Sequence, residues 1–419
     1  MERRLDLDWI RIVAFCLLIL YHVGMYYVNW DWHVKSPFAG ETLEPLMLFS
    51  SPWRLSLLFM VSGVATAFLF EKSRRSAHGS PKSARFLGPR SARLLLPLLF
   101  GMLVIVPPQS YYEVVEQLPG GYNDGYLAFW GRYLAADPGF CRDGDCLTLP
   151  TWNHLWFVAY LWVYTVLAWA LLRFVPQAMQ RLGDGLERGL SGVGVLLWPA
   201  ALLALARVAL VGRFESTHAL VDDWYNHAQY LPLFLLGVLV ARREAVWNAL
   251  QRHRRHALAL AMFGYGVVLW YFYGSGYDDA TPPPDALRMA QRVMWAVFQW
   301  CAIAAILGYG RQLASRGVLR DTPTLRYLRD AVFPVYILHQ TLIVALAHNA
   351  QPLALHPAIE GPLLVIATFA LSFAGFEIVR RVRWLRPVFG LKIENTLPSS
   401  APRRHVVGRD PDSAPGSVP

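Results

Sequence analysis

Ten apolar runs, each near the length that crosses a bilayer, constrain this chain more tightly than any other feature. They cover about 9–28, 48–70, 93–112, 154–174, 193–212, 228–241, 257–273, 290–308, 331–348 and 362–380. Backbone N–H and C=O groups find no water in the hydrocarbon core, so a run of this length bonds internally and crosses as a helix. The sixth run is short and carries Pro232, yet the charge pattern requires it. With all ten crossing, the basic stretches Lys72–Arg93, Arg173–Arg188, Arg242–Arg255, Arg311–Arg329 and Arg380–Arg409 fall on one side. That side then holds roughly 30 of the 39 Lys and Arg residues, as the positive-inside rule expects. The sequence predicts an all-α, polytopic integral membrane protein of about ten transmembrane helices with both termini cytoplasmic.

Composition agrees. Hydrophobic residues make up 55% of the chain and charged residues 16%, with a mean hydropathy of +0.31, which is membrane rather than soluble composition. The net charge of +10 would fit a nucleic-acid binder in a soluble protein. Here the cations sit in loops between apolar runs and act as topology signals, so no nucleic-acid partner is expected. Residues 1–395 are expected to form one membrane domain, and 396–419, rich in Pro, Ser and Arg, a disordered cytoplasmic tail. The first run ends at Tyr-His-Val-Gly-Met rather than at a small-residue cleavage site, so it is expected to be retained as a helix. The outside loop at about 113–152 is rich in Gly, Asp and aromatics and reads as long and irregular, a kind that is often functional. Cys141 and Cys146 share it. Their spacing fits a local disulfide or two free thiols, and the further ligands of a zinc site are missing. No metal or permanently bound cofactor is expected.

Ionisable groups inside membrane helices are costly and point to function by default. Arg11 and His22 lie eleven positions apart in the first run. That is close to a whole number of helical turns, so they share a face, roughly 16 Å apart along the axis. Each alone has a structural reading: an Arg reaching to the interface, a His bonded to a carbonyl. Together they suit a cation that holds a phosphate and an imidazole that handles a proton three turns deeper. Asp8, one turn before Arg11, can orient it. Arg90 and Arg93 share a face at the cytoplasmic mouth of the third run, where guanidinium forks suit phosphate oxygens. Taken singly they are an ordinary basic flank. Ser62, in Phe-Met-Val-Ser-Gly63, serves close helix packing or a cavity equally well. Arg54, near the outer end of that helix, reaches outward or faces an anion. His154 and Trp156 open the fourth run with an aromatic platform suited to a sugar ring, although aromatics belong at any interface. Tyr336 and His339, followed by Gln340, are polar enough to line a cavity in the ninth run. Arg207 and Arg292 add to a polar interior.

The opening Leu5-Asp-Leu-Asp-Trp-Ile-Arg11 with His22, then Phe-Met-Val-Ser-Gly63, Arg90-x-x-Arg93 and Tyr336-Ile-Leu-His339, resembles the membrane acyltransferase type 3 family. These matches span the first to the ninth run, and ten spans is that family's usual core. His154-Leu-Trp-Phe and the Leu-Asp-Trp opening resemble its glucan-biosynthesis branch, which succinylates periplasmic glucans. The resemblance implies an inner-membrane O-acyltransferase. It would move an acyl group, acetyl or succinyl, from cytoplasmic acyl-CoA to a hydroxyl of an extracytoplasmic glycan. It also implies that His22 is the essential catalytic His with Arg11 as its partner, and that Arg90 and Arg93 belong to the donor site.

The two lines of reasoning give one expected mechanism. Arg11, Arg90 and Arg93 meet the CoA phosphates, and the pantetheine arm covers the distance to His22. His22 Nε2 acts as general base or relays the acyl group covalently. Ser62, Tyr336 and His339 are candidate oxyanion donors, and Arg54, His154 and Trp156 candidate substrate contacts. A transporter or flippase for an anionic solute is the rival from another class. It accounts for the intramembrane arginines but lacks the repeat symmetry such folds usually carry.

Overall fold

The computed structural model describes residues 4–75, 84–142, 144–278 and 280–392; the expected tail 396–419 lies outside them. Each of the ten expected runs falls on a helix. The long ones are α1 (Leu5–Met25), α3 (Arg54–Arg75, preceded by a short α2, Glu44–Ser50), α4 (Ala84–Phe100), α7 (Trp156–Phe174), α9 (Gly194–Leu210), α10 (Trp224–Val240), α11 (Glu244–Leu269), α12 (Asp285–Ser315), α13 (Pro323–Ala350) and α14 (Pro357–Arg381). Among the described residues eight helical stretches are long and apolar enough to cross a membrane. α9 and α10, at 17 residues each, fall just short. α9 reaches a ninth span only with α8 (Pro176–Leu190), to which it is bent by 113°. The chain is an all-α, multi-pass membrane protein.

Small residues set the tightest crossings. A Cβ on Gly63 of α3 would run into the carbonyl oxygen of Phe234 on α10, and a Cβ on Gly237 of α10 would run into that of Met60 on α3. The two backbones therefore touch reciprocally, as membrane helices do where glycine permits. α11 and α12 form a similar pair, with Gly264 against Phe298 and Gly308 against the carbonyl of Leu250. Gly63 is thus a packing residue.

α4 does not continue straight. Pro97 lies inside it, and residues Gly101–Ile105 form a π-helical turn. Three carbonyls of the turn accept from side chains. Tyr133 donates to Met102 O at 2.8 Å, Trp130 to Leu103 O at 2.9 Å and Thr341 to Ile105 O at 2.6 Å. The next helix, α5 (Pro107–Gln117), starts on two prolines with preset φ. The loop expected to be irregular is instead a small cap. It contains part of α5, α6 (Gly125–Leu134) and a two-stranded hairpin, β1 (Cys141–Arg142) and β2 (Asp145–Cys146). Tyr122, Phe129, Tyr133, Phe140 and Leu149 give it a core of its own, which its aromatic richness supplies and a membrane-run scan does not register. Cys141 and Cys146 are joined in a disulfide.

Gly63→Val and Gly237→Val are expected to weaken the α3–α10 crossing by about 1–3 kcal/mol each, the usual cost of overpacking. Gly266→Ala, which meets open space, is expected not to. Melting temperatures of the detergent-solubilised protein check this.

Candidate active site

Two cavities lie at opposite ends of α1. The larger, about 1350 Å³, lies on the face where Arg4, Asp8 and Arg11 of α1 meet Lys72 and Arg75 of α3 and Arg90 and Arg93 of α4. Arg329, Arg380, Arg386 and Lys392 also line it, against the carboxylates of Asp8, Glu71 and Asp330. This basic cavity gathers Arg11, Arg90 and Arg93 as the sequence expects, with Asp8 one turn before Arg11. Arg93 also donates to the carbonyl of Gly390 at 2.9 Å, which ties α4 to the segment after α14. Ser62 lines this cavity, not the one that holds His22.

The smaller cavity, about 580 Å³, opens beside the cap. It holds His22, His154, Trp156, Arg54, Gln340 and Trp32 among others. Phe157 and Tyr336 line both cavities. They form a septum between the basic side and the capped side.

His22 meets His339 at the septum. Nδ1 of His22 lies 2.8 Å from Nε2 of His339, and the two rings are nearly parallel, with centroids 5.0 Å apart and a 6° interplanar angle, so they meet edge to edge. Nδ1 of His339 is 2.6 Å from the carbonyl oxygen of Tyr336. A carbonyl only accepts, so Nδ1 of His339 carries the proton and donates it. Neutral His339 then accepts at Nε2, which makes Nδ1 of His22 the donor. The Nε2 lone pair of neutral His22 is left free, as a base or nucleophile requires. Tyr336, His339 and Gln340 sit at i, i+3 and i+4 on one face of α13, so one helix face builds this arrangement.

His154 is placed by the same logic. Its Nε2 donates to Ile337 O at 3.1 Å, and its Nδ1 accepts from Gln109 Nε2 at 3.4 Å. Its ring stands perpendicular to that of His339 at 5.2 Å. Tyr336 gives its hydroxyl to the carbonyl of His154. Tyr336 and His339 therefore use their donors inside the site. Trp156 faces His218 at 4.2 Å between ring centroids and Tyr230 at 5.6 Å. Arg54 is buried, 3.8 Å from the Tyr21 ring centroid. Among the described residues no cluster of three His, Cys, Asp or Glu side chains suits a metal.

Several partners escape a reading of the apolar runs. Gln109, brought in by the start of α5, accepts from Asn153 and Gln340, both at 3.1 Å. Gln340 also donates to His33 Nε2 at 3.0 Å, and His33 Nδ1 pairs with Glu113 at 2.6 Å. The Trp32 ring lies 5.3 Å from His22, and its Nε1 is buried without a partner among the described residues. These residues come from the segment after α1 and from the cap, where no helical period marks them.

A family model described as an acyltransferase domain matches residues 4–377. The chain belongs to the acyltransferase-3 family. Its relatives include the glucans biosynthesis protein C of Escherichia coli strain K12, 22% identical over 352 residues that cover 81% of this chain and 82% of that one. The protein of the same name from E. coli O6:K15:H31 is 23% identical over 350 residues with the same coverage. No solved structure is a significant match. The protein is a membrane acyltransferase related to glucans biosynthesis protein C.

His339→Leu removes the acceptor that holds Nδ1–H of His22, so the two tautomers of His22 become competitors. It is expected to lower kcat for acyl transfer by at least about tenfold with little change in KM, as loss of a tautomer-fixing partner does elsewhere. His339→Gln, which can still accept, should retain more of kcat. Steady-state kinetics of the two variants check this.

Proposed function

We propose that this protein transfers an acyl group from an acyl-CoA bound in the basic cavity to a hydroxyl of a glycan bound in the capped cavity. The basic cavity is then cytoplasmic and the capped one extracytoplasmic, in the inner membrane. The observation that carries the proposal is the pair of cavities at opposite ends of α1 that share Phe157 and Tyr336, with His22 in the capped one. Arg11, Arg90 and Arg93 would hold the nucleotide phosphates, for which guanidinium forks are suited. The flexible arm of the donor then passes the septum and carries its thioester to His22, while the nucleotide stays behind. Acetyl- and succinyl-CoA both fit this scheme.

On the capped side Trp152 and Tyr230 bring aromatic rings of the kind sugar rings stack on, with Trp156 packed behind them, and Gln229 brings a side-chain amide. His22 Nε2 takes the proton of the acceptor hydroxyl as its oxygen attacks the thioester carbonyl. A tetrahedral oxyanion forms. As it collapses, the C–S bond breaks, the new C–O bond remains, and the proton passes from His22 to the departing CoA thiolate. The oxyanion needs a donor. The buried, unpartnered Nε1–H of Trp32 beside His22 supports Trp32 in that role.

The deciding measurement is release of free CoA by the purified protein with acetyl-CoA or succinyl-CoA and a glucan acceptor. His22→Ala is expected to lower release by about 10²–10⁴-fold, the usual contribution of a positioned base. Release that is absent from the wild type, or indifferent to His22, would overturn the reading and favour an anion carrier. Trp32→Phe keeps the ring and removes the N–H; a fall in kcat of about 10²-fold, with KM unchanged, is expected of an oxyanion donor.

A further inference from the structure

Arg54 opens α3 at the capped cavity and is 3% exposed. Its Nη1 donates to Ser50 Oγ at 2.8 Å, and the Tyr21 ring lies under its guanidinium. Its Nε has no hydrogen-bond partner, and no carboxylate is paired with it, among the described residues. Taking a guanidinium out of water without a counter-charge is costly, and aromatic rings compensate only in part.

Arg207 of α9 lines the same cavity. It donates to the Tyr225 hydroxyl and lies 4.2 Å from the Trp295 ring centroid, and its Nε is likewise buried without a partner. The carboxylate lining this cavity is Asp31, exposed at the rim. Buried Asp223 is already engaged, by the Tyr160 hydroxyl, the Asn226 amide and the backbone N–H groups of Thr217 and His218. Two guanidiniums on different helices therefore face one cavity with little negative charge to answer them. A short-lived oxyanion does not call for two fixed cations. A permanent anionic group does.

We propose that Arg54 and Arg207 form an anion subsite of the capped cavity, which holds a carboxylate or other acidic group carried by a substrate. The group belongs either to the far end of the transferred acyl chain or to the acceptor glycan. The proposal rests on the reading of this cavity as the transfer site, and it makes the enzyme selective for charge as well as shape.

The test uses the full-length protein in detergent and compares wild type with Arg54→Gln, Arg54→Lys and Arg207→Gln. One arm compares succinyl-CoA with butyryl-CoA on a neutral glucan. The other compares an acidic with a neutral glucan, using butyryl-CoA. In one arm the ratio of kcat/KM, anionic over neutral, is expected to fall at least about tenfold in Arg54→Gln, the loss of a charge-assisted hydrogen bond. Arg54→Lys should fall in between, and the arm that responds names the source. Equal loss in every combination, with both ratios unchanged, would overturn the subsite and give Arg54 to the oxyanion or the fold. A binding readout separates this from failure of the transfer reading. Monomethyl succinate, against chloride at equal ionic strength, should raise the melting temperature of wild type and of His22→Ala but not of Arg54→Gln. No anion-specific rise in wild type would also overturn the subsite. If Arg54→Gln does not fold, Arg207→Gln carries the same comparisons.

Discussion

The hydrogen bond from His339 Nδ1 to the carbonyl of Tyr336 orders much of what surrounds it. An imidazole in an apolar bundle can donate from either nitrogen, and two facing imidazoles can settle in either of two opposite arrangements. A carbonyl has no such freedom. By accepting from His339 it fixes which way the proton points there, and through the 2.8 Å contact it fixes His22 as well. The Ile337 carbonyl does the same for His154 one residue further along α13. Side-chain chemistry at the centre of the bundle is thus oriented by backbone atoms of one helix. That helix is itself firmly started, with Thr322 capping the Leu325 amide and Pro323 in its first turn.

Around this centre the fold resolves a conflict. A bilayer excludes unpaired polar groups, while a site that serves two faces needs polar groups at depth. The structure sets Arg11, Arg90 and Arg93 around one cavity and His22, His154 and Arg54 around the other, and packs aromatic and aliphatic side chains, including Phe59, Phe157 and Tyr164, around them. Where α4 breaks at its π-helical turn, each freed carbonyl named above finds a side-chain donor, two of them from α6 of the cap. The cap is thus tied to the turn that leads into α5 and Gln109.

Much of this was legible in the sequence. The apolar runs give the helices, because hydrocarbon thickness dictates their length. The face shared by Arg11 and His22 follows from helical geometry, and the i, i+3 spacing of Arg90 and Arg93 places both at one mouth. His22, His154 and His339 are each conspicuous as polar groups in apolar runs. What the sequence does not state is which of them touch: contact between α1 and α13 spans more than 300 positions and leaves no local mark. Trp32, His33 and Glu113 are less visible still, since polar residues outside apolar runs are unremarkable until the chain folds back over the site, and Gln109 sits unmarked near the end of the third run. Ser62 shows the opposite case, a polar residue in an apolar run whose neighbour Gly63 explains the motif by packing.

The septum of Phe157 and Tyr336 has an electrical consequence. Two hydrated vestibules conduct ions and hold little voltage, so in a polarised membrane most of the potential drops across the thin apolar layer between them. A charge crossing that layer exchanges about 2.3 kcal/mol per 100 mV with the field. In the proposed transfer the oxyanion and the departing thiolate both form beside His22, across that layer from the basic cavity, and so sit at a different electrical height from the nucleotide phosphates. The two rings act as the dielectric of a small capacitor, and under the proposed transfer the membrane potential becomes part of the environment of His22.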